Sequence, residues 1–258
     1  MLGAIAGDFV GSVHEFGAGK RKDFPLLHPA CRVTDDSILT IAVAEWLLHG
    51  TDLVTRFHEM VNAYPGAGWG MMFVRWARTK KRDPYNSFGN GAAMRVSPVG
   101  WAFPTLEETL DAAAHSAAVT HNHPEGIKGA QATACAMFLA RTTRDKTAIR
   151  REVTARFGYD LDRTVDTIRP TYSFNETCQG TVPEAIIAFL DAVDFEDTIR
   201  NAISLGGDAD TLACIAGGIA HAYYGTVPDT MGVPALASLG EPLRGVWDAF
   251  QERYRVPV

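Results

Sequence analysis

Apolar residues recur at three- and four-residue intervals along most of the chain, as in SILTIAVAEWLLHG (37–50), AMFLARTT (136–143), VPEAIIAFLDAV (182–193) and TLACIAGGIAHAYYG (211–225). That spacing is the period of a helix with one or more buried faces, so nearly the whole chain is predicted helical. Polar residues followed by proline mark helix starts in HPEGIKGAQATACAMFLA (123–140) and TVPEAIIAFLDAV (181–193), and glycine marks stops at Gly50 and Gly225. No stretch alternates convincingly with the period of a strand. Three glycine-rich polar interruptions, AYPGAGWG (63–70), DPYNSFGNGAAMR (83–95) and THNHPEG (120–126), read as loops. Glycine belongs where backbone must approach a ligand closely or take positive φ, although plain helix–helix connection explains any one of these loops equally well.

Two helix starts are acidic. Thr34, Asp35 and Asp36 lead one apolar helix, and Asp208, Asp210 and Thr211, in GGDADT, lead another. Neighbours on a continuous helix project about 100° apart and residues two apart about 200°, so neither pair converges from mid-helix. At an N-terminus the first side chains point forward along the axis and can meet. Capping and the helix dipole account for one such pair, at about 0.3–1 kcal/mol of stabilisation. Two pairs, each with a threonine hydroxyl and each opening a core helix, are harder to explain that way, because buried carboxylates repel and cost several kcal/mol unless compensated. A cation would compensate them, and oxygen donors without Cys or His favour Mg²⁺ or Mn²⁺ over Zn²⁺.

The rest of the composition narrows the class. With 258 residues, 47% hydrophobic and 21% charged, the chain can bury a substantial core, and no linker divides it, so a single domain over 1–258 is expected. A formal net charge of -6 argues against a protein that holds nucleic acid on a broad basic face. The basic run TKKRD (79–83) reads as a solvated loop. Cys31, Cys135, Cys178 and Cys214 show no CxxC spacing and read as free thiols. The start MLGAIAGDFVGSVHEF is apolar but carries Asp8 and Glu15 and no basic leader, and no uncharged stretch is long enough for a bilayer, so no membrane association and a cytoplasmic location are expected.

Five motifs in order, GDFVGSVHEF, TDDS, SFGNGAAMRVSPVGW, THNHPEGIKGAQATA and SLGGDADTLACIAGGIAHAYYG, make the chain resemble the ADP-ribosylglycohydrolases of the type that includes the dinitrogenase reductase-activating glycohydrolase. The resemblance implies an all-α, compact, single-domain orthogonal bundle whose cleft holds two Mg²⁺ or Mn²⁺ ions. It implies Thr34, Asp35 and Asp36 as metal ligands from one mouth and Asp208, Asp210 and Thr211 from the other, with Asp210 bridging. Glu15 matches an acidic residue beside the metals, as base, substrate-positioning group or gate. The catalytic set is then Asp35, Asp36, Asp210 and Glu15. Asp8 stays outside it, either supporting the metal shell or pairing within its own helix.

The same resemblance gives the loops a purpose. Ser87, Phe88, Gly89, Asn90 and Gly91 suit a pyrophosphate and adenosine through backbone N–H groups and an aromatic face, Gly66 and Gly68 lie against the distal ribose and diphosphate, and His121 is near the ligand. His123, before Pro124, reads as a helix-opening residue. The implied reaction is hydrolysis of the glycosidic bond between ADP-ribose and a modified acceptor. The acceptor is a protein side chain such as arginine or serine, or a small-molecule conjugate; nucleic acid enters only as a modified substrate, ADP-ribose is the product, and the protein is expected to be a monomer. A non-catalytic ADP-ribose reader and a crystallin-like structural protein are the alternatives. The metal motifs do not encode the acceptor, which falls to the segments 15–33 and 166–180, the latter with Tyr172, Phe174 and Asn175.

Overall fold

The computed structural model describes residues 1–15, 17 and 19–257, so Phe16 and Ala18 of the 15–33 segment lie outside the described residues. Among the described residues fifteen helices follow one another: α1 (Leu2–Gly11), α2 (Asp35–His49), α3 (Leu53–Ala63), α4 (Met71–Arg78), α5 (Gly91–Met94), α6 (Val99–Ala102), α7 (Leu106–Ala118), α8 (Pro124–Thr143), α9 (Lys146–Phe157), α10 (Val165–Ile168), α11 (Cys178–Leu190), α12 (Phe195–Ser204), α13 (Ala209–Tyr224), α14 (Asp229–Leu239) and α15 (Leu243–Tyr254). Among the described residues the sole β feature is an isolated bridge between Gly89 and Thr177. None of these helices is long and apolar enough to cross a membrane. The expected all-α architecture is thus what forms.

The glycine stops are as read, since Gly50 and Gly225 close α2 and α13 in the left-handed conformation at φ 68° and 83°. His123 caps α8, its ring accepting from the Glu125 N–H at 3.1 Å, and Pro124 opens the first turn. One boundary differs. α11 begins at Cys178 rather than at the TVPE run, and Pro183 sits inside it. Thr177 supplies the cap by accepting from the Gly180 N–H at 3.2 Å, an earlier start that the proline signal conceals.

α13 is buried on every side from Ala209 to Ala222, as a helix apolar all round must be, and α1, α2, α5, α8, α11 and α12 pack around it. The tightest of these packings is with α1. Gly3, Gly7 and Gly11, spaced by four, place one bare stripe of α1 on the backbone of α13. A Cβ on Gly7 would collide with the carbonyl of Ala213, one on Gly3 with that of Gly217, and one on Gly11 would stand 2.5 Å from the Asp210 Cα. Each glycine costs about 1 kcal/mol of helix propensity relative to alanine. Close backbone approach is what offsets that loss.

Gly7→Ala should therefore destabilise the protein by about 2–3 kcal/mol despite its better helix propensity, because a rigid carbonyl cannot yield to the added methyl. Gly50→Ala, where the added methyl meets open space, should cost about 1–2 kcal/mol through positive φ alone. Urea unfolding compares the two; equal midpoints for Gly7→Ala and wild type would refute the packing argument.

Candidate active site

The α1–α13 contact carries Asp8 to the start of α2. Asp8 is fully buried, and its carboxylate accepts from the Thr34 N–H at 2.9 Å, the Thr34 hydroxyl at 2.6 Å, the Ser37 N–H at 3.1 Å and the Ser37 hydroxyl. It thus fixes the first turn of α2 from outside. Thr34 itself caps that turn, its Oγ1 accepting from the Asp36 N–H at 3.4 Å. With capping done by Thr34, the carboxylates of Asp35 and Asp36 are not needed for it. Asp36 is buried, whereas Asp35 is partly exposed, and its N–H donates to the Ala67 carbonyl at 2.9 Å.

The second mouth is built by Gly206 and Gly207, both at φ 72°, which turn the chain sharply from α12 into Asp208. Asp208 occupies the N-cap position of α13 yet makes no side-chain cap. Instead it accepts from the side-chain amide of Asn90 at 2.6 Å, and the same amide donates to Thr181 Oγ1 at 3.1 Å. Asp210 and Thr211 follow, and the Thr211 hydroxyl donates to Asp36 Oδ2 at 3.4 Å, joining the two mouths. Oxygen atoms of Asp8, Asp36 and Asp210 lie within 4.8 Å of one another, and so do those of Glu15, Asp208 and Asp210. Asp210 belongs to both groups.

This is an arrangement of like charges with little to oppose them. Among the described residues none of the five aspartates forms an ion pair with Lys or Arg, and Asp36 Oδ1 is buried with no hydrogen-bond partner. Burial first, then the neighbouring carboxylates, push Asp35, Asp36 and Asp210 well above the ordinary carboxylate range. Burial also raises Asp8 against the pull of its four donors. Glu15, half-buried, is pushed up to about 7 by burial and then by Asp208. A divalent cation fits this donor set, because it would give the orphaned oxygen of Asp36 a partner and reverse the repulsion with hard oxygen ligands alone.

Beside the acids lie the glycine loops. Gly68, at φ 96°, faces Asp35, whose Oδ1 would be 3.3 Å from an added Cβ; Gly66 borders open space. In the 87–91 loop Ser87 Oγ accepts from the Gly89 N–H at 3.1 Å, and the Asn90 N–H donates to the Glu176 carbonyl at 2.7 Å. With the Ser87 N–H donating to the Thr120 carbonyl at 3.4 Å, three of the N–H groups expected to meet a pyrophosphate are engaged within the protein. Asn90 is turned inward to Asp208, while Phe88 is 45% exposed, its ring 5.3 Å from that of His123. His121 is buried beneath this loop, with Gly89 and Gly91 over its ring. Tyr172 and Asn175 are packed, the former donating to the Gly180 carbonyl at 3.1 Å and the latter accepting from the Thr177 N–H at 2.9 Å, whereas Phe174 is 42% exposed. Sequence reasoning missed the four-fold anchoring by Asp8 and the inward role of Asn90; the available signal was a lone aspartate in an otherwise apolar helix.

The chain is similar to several known proteins. The family model described as ADP-ribosylglycohydrolase matches residues 1–253. The chain is 27% identical to "ADP-ribosylhydrolase ARH3" of Homo sapiens, over 87% of this chain and 84% of that one. It is 26% identical to "ADP-ribosylarginine hydrolase Tri1" of Pseudomonas putida (strain GB-1), over 87% and 69%. A solved structure described as "ADP-ribosylglycohydrolase-related protein complex" superposes with a TM-score of 0.70 at 26% identity, covering 100% of this chain and 97% of the other.

The raised acids bind protons more tightly folded than unfolded, so without metal they destabilise the protein increasingly as pH rises; Glu15 contributes between about 4.5 and about 7. Divalent metal should remove that slope and stabilise the fold by about 2.7 kcal/mol at roughly 100 times its Kd. Asp36→Asn, with one buried charge fewer, should melt at or above the metal-free wild type and gain less from Mn²⁺ than wild type does. Thermal melts with chelator and with Mn²⁺ check this, and an Asp36→Asn protein melting well below the chelated wild type would contradict it.

Proposed function

The chain belongs to the ADP-ribosylglycohydrolase family, and on that premise we propose that it hydrolyses the glycosidic bond linking ADP-ribose to an acceptor, using two divalent ions, Mg²⁺ or Mn²⁺. The observation that supports this best is the meeting of two acidic helix mouths whose carboxylates are not used as caps. Thr34, Asp35 and Asp36 would hold one ion and Asp208, Asp210 and Thr211 the other, with Asp210 placed to serve both. When bound, the ions supply Lewis acidity toward the hydroxyls of the distal ribose and toward water.

The protein's own groups do the rest. Asp8 keeps the Thr34–Asp36 turn in place through its four acceptor contacts, and Asn90 holds Asp208, so each mouth has an external support. Glu15, held near neutral affinity for protons, accepts the proton of the attacking water; Asp36 is the other candidate for that step. The ring of carboxylates stabilises positive charge that develops on the ribose as the bond breaks. Gly66 and Gly68 let backbone approach the distal ribose, the 87–91 loop and His121 face the diphosphate, and Phe88 offers its exposed ring to the adenosine. The substrate is an ADP-ribosylated protein or small-molecule conjugate. Four free cysteines suit a reducing compartment such as the cytoplasm.

Calorimetric titration of ADP-ribose into metal-stripped protein, repeated with Mg²⁺ and Mn²⁺, tests the assignment. Binding should depend on metal; equally tight binding without it would indicate a reader module, and no binding at all would remove ADP-ribose as the ligand. Asp210→Asn should lower turnover of ADP-ribosylated arginine or serine substrates by at least about 10³-fold. Near-native turnover in that variant would take Asp210 out of the site.

A further inference from the structure

Arg95, which closes α5, is fully buried. Among the described residues no carboxylate pairs with it. Its Nη2 donates to the Ser116 carbonyl at 3.0 Å and to Thr120 Oγ1 at 2.9 Å, and its guanidinium lies 4.6 Å from the centre of the Phe57 ring. Nε and Nη1 meet no acceptor. A desolvated cation with two unsatisfied nitrogens is costly, and the aromatic face offsets only part of that cost. An apolar side chain of similar volume would fill the space with less penalty, so packing does not explain the charge.

What the charge touches is Thr120, itself fully buried. Among the described residues its hydroxyl has two polar neighbours, Arg95 Nη2, which can only donate, and His121 Nδ1 at 2.7 Å. The hydroxyl oxygen keeps a second lone pair, but of its two polar neighbours only Nδ1 can accept, so pairing the buried hydroxyl hydrogen directs it to the ring nitrogen. Nδ1 then accepts, and the proton of the neutral imidazole must sit on Nε2. Burial, and next the Arg95 charge, hold this imidazole well below its ordinary value, so it stays neutral.

Nε2 is the nitrogen turned toward the glycine loop, since a Cβ on Gly91 would lie 3.2 Å from it and one on Gly89 3.6 Å. It has no acceptor among the described residues, whereas the N–H groups of Gly89 and Asn90 are already engaged. We propose that Arg95 is a positioning residue: acting through Thr120, it fixes His121 as the Nε2–H tautomer and so presents a permanent neutral donor, through the gap left by Gly89 and Gly91, to a phosphate oxygen of bound ADP-ribose. The ligand half of this rests on the function proposed above; the tautomer half does not. Gly91 is then required as an opening as much as for its backbone, because any side chain there would cover the donor.

The test combines ring-¹⁵N spectra of histidine-labelled protein, with His121 assigned by its loss in His121→Gln, and calorimetry with ADP-ribose. Wild type should show Nδ1 unprotonated and Nε2 protonated without ligand. Thr120→Val should lose the fixed tautomer and weaken ADP-ribose binding about tenfold, the scale of one hydrogen bond to a charged group, while Thr120→Ser restores both. Arg95→Met, where it folds, should release the tautomer with Thr120 intact; should it not fold, the Thr120 pair carries the test. An Nδ1–H ring in wild type, equal affinities for Thr120→Val and Thr120→Ser, or an unchanged ring spectrum in folded Arg95→Met would each overturn the proposal. An intact Nε2–H spectrum in a wild type that does not bind ADP-ribose would instead overturn the ligand assignment.

Discussion

The close approach of α1 to α13 is the constraint from which the site follows. Because Gly3, Gly7 and Gly11 bring the two backbones together, Asp8 on α1 reaches Thr34 and Ser37 at the start of α2, and Gly11 lies against Asp210 at the start of α13. Three elements distant in sequence are thereby locked to one point. A side chain on any of these glycines would separate the helices by the width of a methyl, and the meeting of the Asp8, Asp36 and Asp210 oxygens within 4.8 Å tolerates little of that displacement. Packing at this contact and geometry at the acids are therefore one requirement.

The stripe also explains why the acids can be so poorly compensated. Like charges gathered in a buried place oppose folding, and the surrounding core must supply the difference. α13 is buried through Ala222, and α1 is buried along its whole length, so the most repulsive part of the molecule is mounted on its least yielding part. A more flexible support would let Asp36 and Asp210 drift apart or turn to solvent. Rigid mounting keeps them together and leaves a cation as the way to relieve the strain.

Much of this was legible in the sequence, though unevenly. The helical period, the glycine stops and the two acidic mouths were plain because they are local. Whether the acidic side chains served as caps was not local: it turned on Thr34 performing the cap of α2 and on Asp208 accepting from Asn90 instead of capping α13. Asn90 is 118 residues from Asp208, a separation that no spacing rule spans. The loop N–H groups were misjudged for a related reason, since Glu176, which takes the Asn90 N–H, comes from a segment with no periodic signal. Pro183 misled the start of α11 because a proline signal cannot reveal a better cap four residues before the run it opens.

Arg95 shows the same limit at its sharpest. Nothing local in the string GNGAAMRVSP marks it out, yet the fold buries it completely. What selects it is a chain of contacts, guanidinium to hydroxyl to imidazole, in which each atom has one role left once its neighbour's is fixed. Arginine can only donate, so the buried threonine hydrogen finds its one acceptor at His121 Nδ1, and pairing it there leaves the ring proton on Nε2. Both polar contacts are made by the single nitrogen Nη2, while the guanidinium lies 4.6 Å from the centre of the Phe57 ring. On this reasoning the two parts of the candidate site use opposite devices: the acidic part leaves Asp36 Oδ1 without a donor, and the loop part holds a donor whose direction is set from behind.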